Sequence, residues 1–310
     1  LELGGAVLIA IFVPRLARAV GADPRRALWL GALSPLVLLQ LIVPAHNDAL
    51  MVGLMVAGVT LAVQGRPEVG IALCSLAATV KLPAAVAVVF IAAVWARSMR
   101  NRSDAARVLA RSAAVAVAVV VAVSVLTGVG ADWISSSVFS TPERVRLAIT
   151  PATAVGRTLA DILSGAGVAV NGRSLEATLA TAAFALTLAA GVVVLWRTRS
   201  DNLVRNLGLL LLAFALAGPA TWPWYLSWGL VLVAACPVVQ RWPVLVLAVL
   251  ASVFVVKPDG ILALPLGSAP VVLGVYALGA AYAWYSWRRR AGERRVGDLA
   301  GGPSALAESR

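Results

Sequence analysis

Charge is what this sequence has least of. Only 13% of its 310 residues are Asp, Glu, Lys or Arg, against about 25% in a soluble domain. There is one histidine, His46, and two lysines, Lys81 and Lys257; the two cysteines are Cys74 and Cys236. The cysteines stand alone in apolar segments, with no paired or metal-type spacing, and read as small core residues. No Walker loop, nucleotide-binding glycine fingerprint or Ser-His-Asp spacing occurs, and nothing suggests nucleic-acid recognition. One histidine and one nearby aspartate do not define a metal ligand set. No signal peptide is recognisable and no internal repeat is evident.

What is present is apolar. The chain is 61% hydrophobic with a mean hydropathy of +0.91, and runs of membrane-spanning length recur throughout. The expected fold is all-α, a polytopic transmembrane helical bundle. About eleven spans are expected, at 1–14, 27–44, 48–63, 68–80, 83–96, 112–128, 175–195, 206–221, 225–239, 243–257 and 270–287. The net charge of +12 belongs to arginine in the connections. One alternating set of connections, from 15–26 to 288–310, holds twenty of the 26 Lys and Arg residues. That asymmetry marks the set as cytoplasmic.

The asymmetry depends on 68–96. A single helix there would run about 43 Å, too long for a hydrocarbon core of about 30 Å. It would also put the Arg-rich loops on opposite faces. A bend at Lys81-Leu82-Pro83 keeps them together, with Pro83 early in a new helix where its missing N–H costs little. The expected arrangement is therefore a short, re-entrant-like helix pair packed beside longer helices. It places His46-Asn47-Asp48 and Lys81 on one external face and leaves residue 1 outside, so an odd number of spans is expected upstream. The segment 129–174 is the largest external one, while 288–310 reads as a disordered basic cytoplasmic tail beside anionic headgroups.

Ionisable groups in apolar sequence are candidates for function. For His46-Asn47-Asp48 the plain alternative is helix capping by Asn47 or Asp48; for Lys81 it is snorkelling. The functional reading gives Asp48 a hydroxyl to orient or deprotonate, and His46 a phosphate or sugar oxygen. Lys81, with a helix N-terminus at Pro83, makes a cradle for a lipid-linked phosphate. Asp48 would repel a bare phosphate, so it is expected on the sugar side, or behind a bridging divalent cation such as Mg or Mn. Trp222, Trp224 and Tyr225 form an external aromatic turn, read either as interfacial belt or as the walls of a cavity. Arg157 is either a surface arginine or a phosphate partner. An ion-coupled secondary transporter would use Asp48 and Lys81 differently, at mid-membrane and between inverted repeats.

The segments Ala45-His46-Asn47-Asp48-Ala49-Leu50-Met51, Ala78-Thr79-Val80-Lys81-Leu82-Pro83 and Trp222-Pro223-Trp224-Tyr225-Leu226 carry a resemblance. Over about residues 1–287 the chain resembles the polyprenol-phosphomannose-dependent α-1,6-mannosyltransferases of mycobacteria and relatives, polytopic glycosyltransferases of the GT-C class. The resemblance implies inverting transfer of mannose from a polyprenyl monophosphate to a lipid-linked mannan, as in lipomannan and lipoarabinomannan, at the external face of the plasma membrane. It also implies a catalytic acid in a first external loop, which would lie upstream of Leu1. Asp48 and His46 would then support that acid. Asn47, Lys81, Arg157, Trp222, Trp224 and Tyr225 would bind substrate.

Overall fold

A computed structural model describes residues 1–128, 150–218 and 222–237, with isolated helical positions between 273 and 288. Every described element is helical. In order they are α1 (Glu2–Ala19), α2 (Pro24–Gly31), α3 (Pro35–Val37) running into a π turn (Leu38–Ile42), α4 (Asp48–Val63) and α5 (Pro67–Val80). A 3₁₀ turn (Leu82–Ala84) leads into α6 (Ala85–Arg97), followed by α7 (Arg102–Thr127), α8 (Pro151–Gly165), α9 (Gly172–Arg197) and α10 (Leu203–Ala217). A second 3₁₀ turn (Pro223–Leu226) leads into α11 (Ser227–Ala234). Among the described residues, three stretches are long and apolar enough to cross a membrane: Pro24–Ile42, Arg102–Thr127 and Gly172–Arg197. The protein is an all-α membrane protein. Each expected span up to 225–239 has a helical counterpart. The expected span 243–257, the tail 288–310, most of 270–287 and the loop portion 129–149 lie outside the described residues.

The helices start where the sequence supplies caps. Asp23 accepts from the backbone N–H of Arg25 at 2.9 Å, with Pro24 at the first helical position of α2. Asn101 accepts from the N–H of Asp104 at 2.8 Å to open α7, and Asn171 from the N–H of Ser174 at 3.1 Å to open α9. Thr150 and Thr153 form a reciprocal capping box at α8, ahead of Pro151. Each side chain satisfies N–H groups that a helix start leaves without partners, which in water is worth about 1 kcal/mol.

The centre of the bundle is α4, whose Met51, Val52, Met55, Val56 and Val59 are all fully buried. In lipid, helices associate through close packing and polar contacts because the tails are as apolar as the side chains. The α1–α4 contact shows this directly. A Cβ on Gly5 would strike the backbone of Ala49, and one on Gly53 would strike the backbone of Gly5. At the far end of the same contact the Thr60 hydroxyl lies 3.5 Å from the Phe12 carbonyl. Gly5 beside Ala49 and Phe12 beside Thr60 means that α1 and α4 run parallel. The starts of both helices therefore share one end of the bundle, as the alternating topology requires.

The bend at 68–96 is present. Lys81 is extended, at φ −157° and ψ 128°, between α5 and the first 3₁₀ turn. The Arg111 guanidinium meets Glu68 at 2.8 Å. Arg111 lies about 14 Å into α7 at 1.5 Å per residue, and α7 starts just after α6 ends. The start of α5 thus lies near the end of α6, which a single straight helix would separate by its whole length. Arg97 donates to the Thr198 carbonyl at 2.8 Å, joining the α6–α7 and α9–α10 turns. One end of the bundle is therefore arginine-rich. The turns at 43–47, 81–84 and 222–226 gather at the other. The membrane-length windows in α7 and α9 are only 11% buried each, which leaves these helices on the outside of the described bundle, and Trp196 near the end of α9 is 75% exposed, as an interfacial tryptophan would be.

Candidate functional site

Three turns build the site. The first follows the π turn, where the Val43 N–H reaches back to the Leu38 carbonyl at 3.1 Å and the His46 N–H to the Leu41 carbonyl at 3.1 Å. Ala45 between them is left-handed, at φ +53°, a conformation costing a non-glycine residue about 1–2 kcal/mol. Wider π turns and strained residues gather at functional positions. Here they swing His46 round to the aromatic turn and set Asp48 as the first residue of α4. Asn47 is exposed and its side chain makes no capping bond. Capping by Asn47 is thus not what this polar triplet does.

Asp48 is fully buried. Its Oδ2 receives the Lys81 ammonium at 2.7 Å, and its Oδ1 accepts from the Trp228 indole N–H at 2.6 Å. The amino end of α4 adds a favourable field for the carboxylate. Lys81 keeps 26% of its side chain exposed, and its Nζ lies 4.5 Å from the Tyr225 ring centre and 5.5 Å from that of Trp228. Those rings stack at 4.4 Å and 29°, and the ammonium is within cation–π distance of both. Asp48, Lys81, Tyr225 and Trp228 form a closed ring of contacts.

The two turns expected on one face, at His46-Asn47-Asp48 and at Lys81, come together here. Asp48 touches Lys81 directly, because a buried carboxylate needs a countercharge. A divalent cation fits poorly here. Both Asp48 oxygens are taken by N–H donors, an ammonium stands at 2.7 Å, and no group of three or more His, Cys, Asp or Glu side chains occurs among the described residues.

His46 and Trp222 both stack on Trp224, at 4.0 Å and 24° and at 4.8 Å and 16°. Two flat rings on one face at those distances would overlap, so they cover opposite faces. Trp224 is sandwiched, and the outer faces of His46 and Trp222 end the stack. The His46 imidazole has its proton affinity lowered, first by burial and then by Lys81, with Asp48 opposing. Arg157 is not drawn into this cluster; it pairs with Glu176 at 3.1 Å and ties α8 to α9.

Sequence reasoning missed Trp228 as a site residue. Its signal was available: Tyr225 and Trp228 are spaced i, i+3 at a helix start, and an indole N–H in an apolar segment needs an acceptor.

Fold and site together define a helical membrane protein with a buried acid–cation pair and an aromatic stack at one end. A family model described as alpha-(1->6)-mannopyranosyltransferase, N-terminal domain, matches residues 1–97, and one described as MptB C-terminal domain matches residues 152–289. The chain belongs to this alpha-(1->6)-mannopyranosyltransferase family. It is 32% identical to alpha-(1->6)-mannopyranosyltransferase A of Mycobacterium tuberculosis over 275 residues, covering 83% of this chain and 51% of that protein. With alpha-(1->6)-mannopyranosyltransferase B of Corynebacterium glutamicum it shares 27% identity over 314 residues, covering 93% of this chain and 52% of that one. The chain spans about half the length of these curated relatives. No solved structure matches it significantly.

Proposed function

We propose that this chain forms the membrane-embedded part of an α-1,6-mannosyltransferase. The donor is mannose on a polyprenyl monophosphate and the acceptor a growing, lipid-linked α-1,6-mannan of the lipomannan or lipoarabinomannan type. Transfer occurs at the external face of the plasma membrane with inversion at the anomeric carbon, and the arginine-rich end and the tail are cytoplasmic. The observation that carries the reading is the partly exposed Lys81 ammonium fixed at the end opposite the arginine-rich turns. A cation there meets a phosphate at the membrane surface, where a lipid carrier presents it. With no nucleotide-binding motif in the sequence, an activated lipid-linked sugar brings its own leaving group.

In this reading Lys81 binds the donor phosphate, and the Trp222 face and Tyr225 wall the sugar. His46 meets a hydroxyl or phosphate oxygen beside Asn47. Asp48 supports from behind. The test is mannose transfer from a polyprenyl-phosphate donor by the purified full-length protein. Lys81→Ala should raise the donor KM at least tenfold, and normal kinetics in that variant would remove the phosphate role.

A buried Asp–Lys pair also suits an ion-coupled transporter. Asp48 begins α4 and Lys81 follows directly on α5, so the pair lies at helix ends and not at mid-helix, which favours the transferase. Vesicle uptake that depends on Asp48 and on an ion gradient would reverse that preference.

A further inference from the structure

Charge balance at the site has a consequence for which phosphate it holds. Among the described residues the titratable groups of the cluster are Asp48, Lys81, His46 and Tyr225. Asp48 and Lys81 form an ion pair at 2.7 Å. His46, half-buried and stacked on Trp224, favours its neutral form, and a tyrosine is neutral at ordinary pH. The cluster therefore carries no net charge. Its one cation is already opposed by a carboxylate that cannot turn away, because the Trp228 N–H fixes the other oxygen at 2.6 Å.

A phosphodiester carries one negative charge. The phosphomonoester left after glycosyl transfer carries nearly two at neutral pH, with a second pKa near about 6. In a partly dry site each further charge that finds no counterion is costly.

Resting on the proposed transfer, we infer that Asp48 is a specificity-determining residue that, held by Trp228, half-neutralises Lys81 so that the site prefers a monoanionic lipid phosphodiester to a dianionic lipid phosphomonoester. Asp48 touches no substrate in this scheme; it acts through Lys81. The donor is a diester and the spent carrier a monoester, so the same device lets the product go. The atoms balance: the acceptor oxygen bonds to the anomeric carbon and loses its proton to water. The bond from that carbon to the phosphate oxygen breaks with its electron pair on the phosphate.

The test is direct binding to the full-length protein in detergent, with no turnover. The probes are farnesyl phosphate, a monoester, and its methyl ester, a diester, at pH 8 and at pH 5. At pH 8 the wild type should bind the diester at least as tightly as the monoester. At pH 5, where both probes are monoanions, their affinities should converge. Asp48→Asn keeps an acceptor for Trp228 and frees Lys81, so it should bind the monoester about tenfold more tightly relative to the diester. Lys81→Met should lose both probes.

A wild type that prefers the monoester at pH 8 overturns the inference without recourse to any variant. So does a folded Asp48→Asn protein with an unchanged ratio of affinities. Binding of both probes at an unchanged ratio leaves the lipid-phosphate reading standing, whereas no binding of either probe to the wild type defeats both.

Discussion

Breaking the Asp48–Lys81 pair from its two sides should have unequal costs. Lys81→Met leaves a carboxylate with no exposed surface and one remaining partner, the Trp228 N–H. Removing one partner of a buried ion pair costs about 3–5 kcal/mol. The lower figure, about 3 kcal/mol, applies because Lys81 is 26% exposed and water already reaches its side of the pair. Asp48→Asn instead frees an ammonium that can turn to that water, and it retains the Trp228 bond, so about 1 kcal/mol is expected. The double variant leaves neither charge and should recover most of the larger loss. At about 2–4 °C per kcal/mol, Lys81→Met should lower the Tm by about 6–12 °C and Asp48→Asn by about 2–4 °C. The double variant should lie within about 4 °C of the wild type. Thermal unfolding of the full-length protein in detergent, followed by tryptophan fluorescence, reads all three. A Lys81→Met protein as stable as the wild type, or a double variant no better than that single variant, would refute the claim that Lys81 is the countercharge of a sealed carboxylate.

Other perturbations test the same geometry. Trp228→Phe keeps the ring against Tyr225 but removes the N–H at Asp48 Oδ1; a hydrogen bond to a charged group is worth about 1.5–3 kcal/mol, so the Tm should fall by about 3–12 °C. Arg157→Ala removes a partly exposed pair and should cost under about 1 kcal/mol, a Tm change of a few degrees at most. His46 has a folded-state proton affinity below its ordinary value, so the unfolded chain binds its proton more readily. Its contribution to stability is present above about pH 6.5 and is lost as pH falls through the lower folded value. A Tm series between pH 5 and 7.5 should show that loss, and His46→Phe, which retains the stack, should flatten it. Gly53→Leu would drive a side chain into the Gly5 backbone; recovery of native-like protein from membranes should collapse.

Periodicity and charge made the architecture legible, because a bilayer leaves few options. Backbone groups must be satisfied within helices, and arginine counts assign the turns to two faces. The bend at Lys81 could be chosen on length and on charge asymmetry alone, and the Arg111–Glu68 pair is its geometric counterpart. The partner of Asp48 was not legible in the same way. Trp228 lies 180 residues away; its spacing from Tyr225 marks it as a residue needing an acceptor, but nothing in the sequence pairs it with Asp48. The π turn and the left-handed Ala45 were equally hidden, since Leu38-Leu39-Gln40-Leu41-Ile42 reads as ordinary apolar helix. In the fold it packs against α1, α4 and the 3₁₀ turn at Pro223–Leu226, the last of which lies far from it in sequence.

Asp48 and Lys81, expected on one face from the sequence, become a directly paired unit in the fold. Each sits at a turn, where side chains usually reach water, so each had an innocent reading alone, as a cap and as a snorkelling lysine. The helices that carry them are short: α4 has 16 residues and α5 has 14, about 24 and 21 Å. Both fall short of a hydrocarbon core of about 30 Å. A carboxylate at such a helix start is cut off from bulk water, and it closes on the nearest cation. Once closed, the pair no longer acts as a positive site awaiting any anion. It is a neutral, polarised contact, with one ammonium edge held against Tyr225 and Trp228 and turned outward.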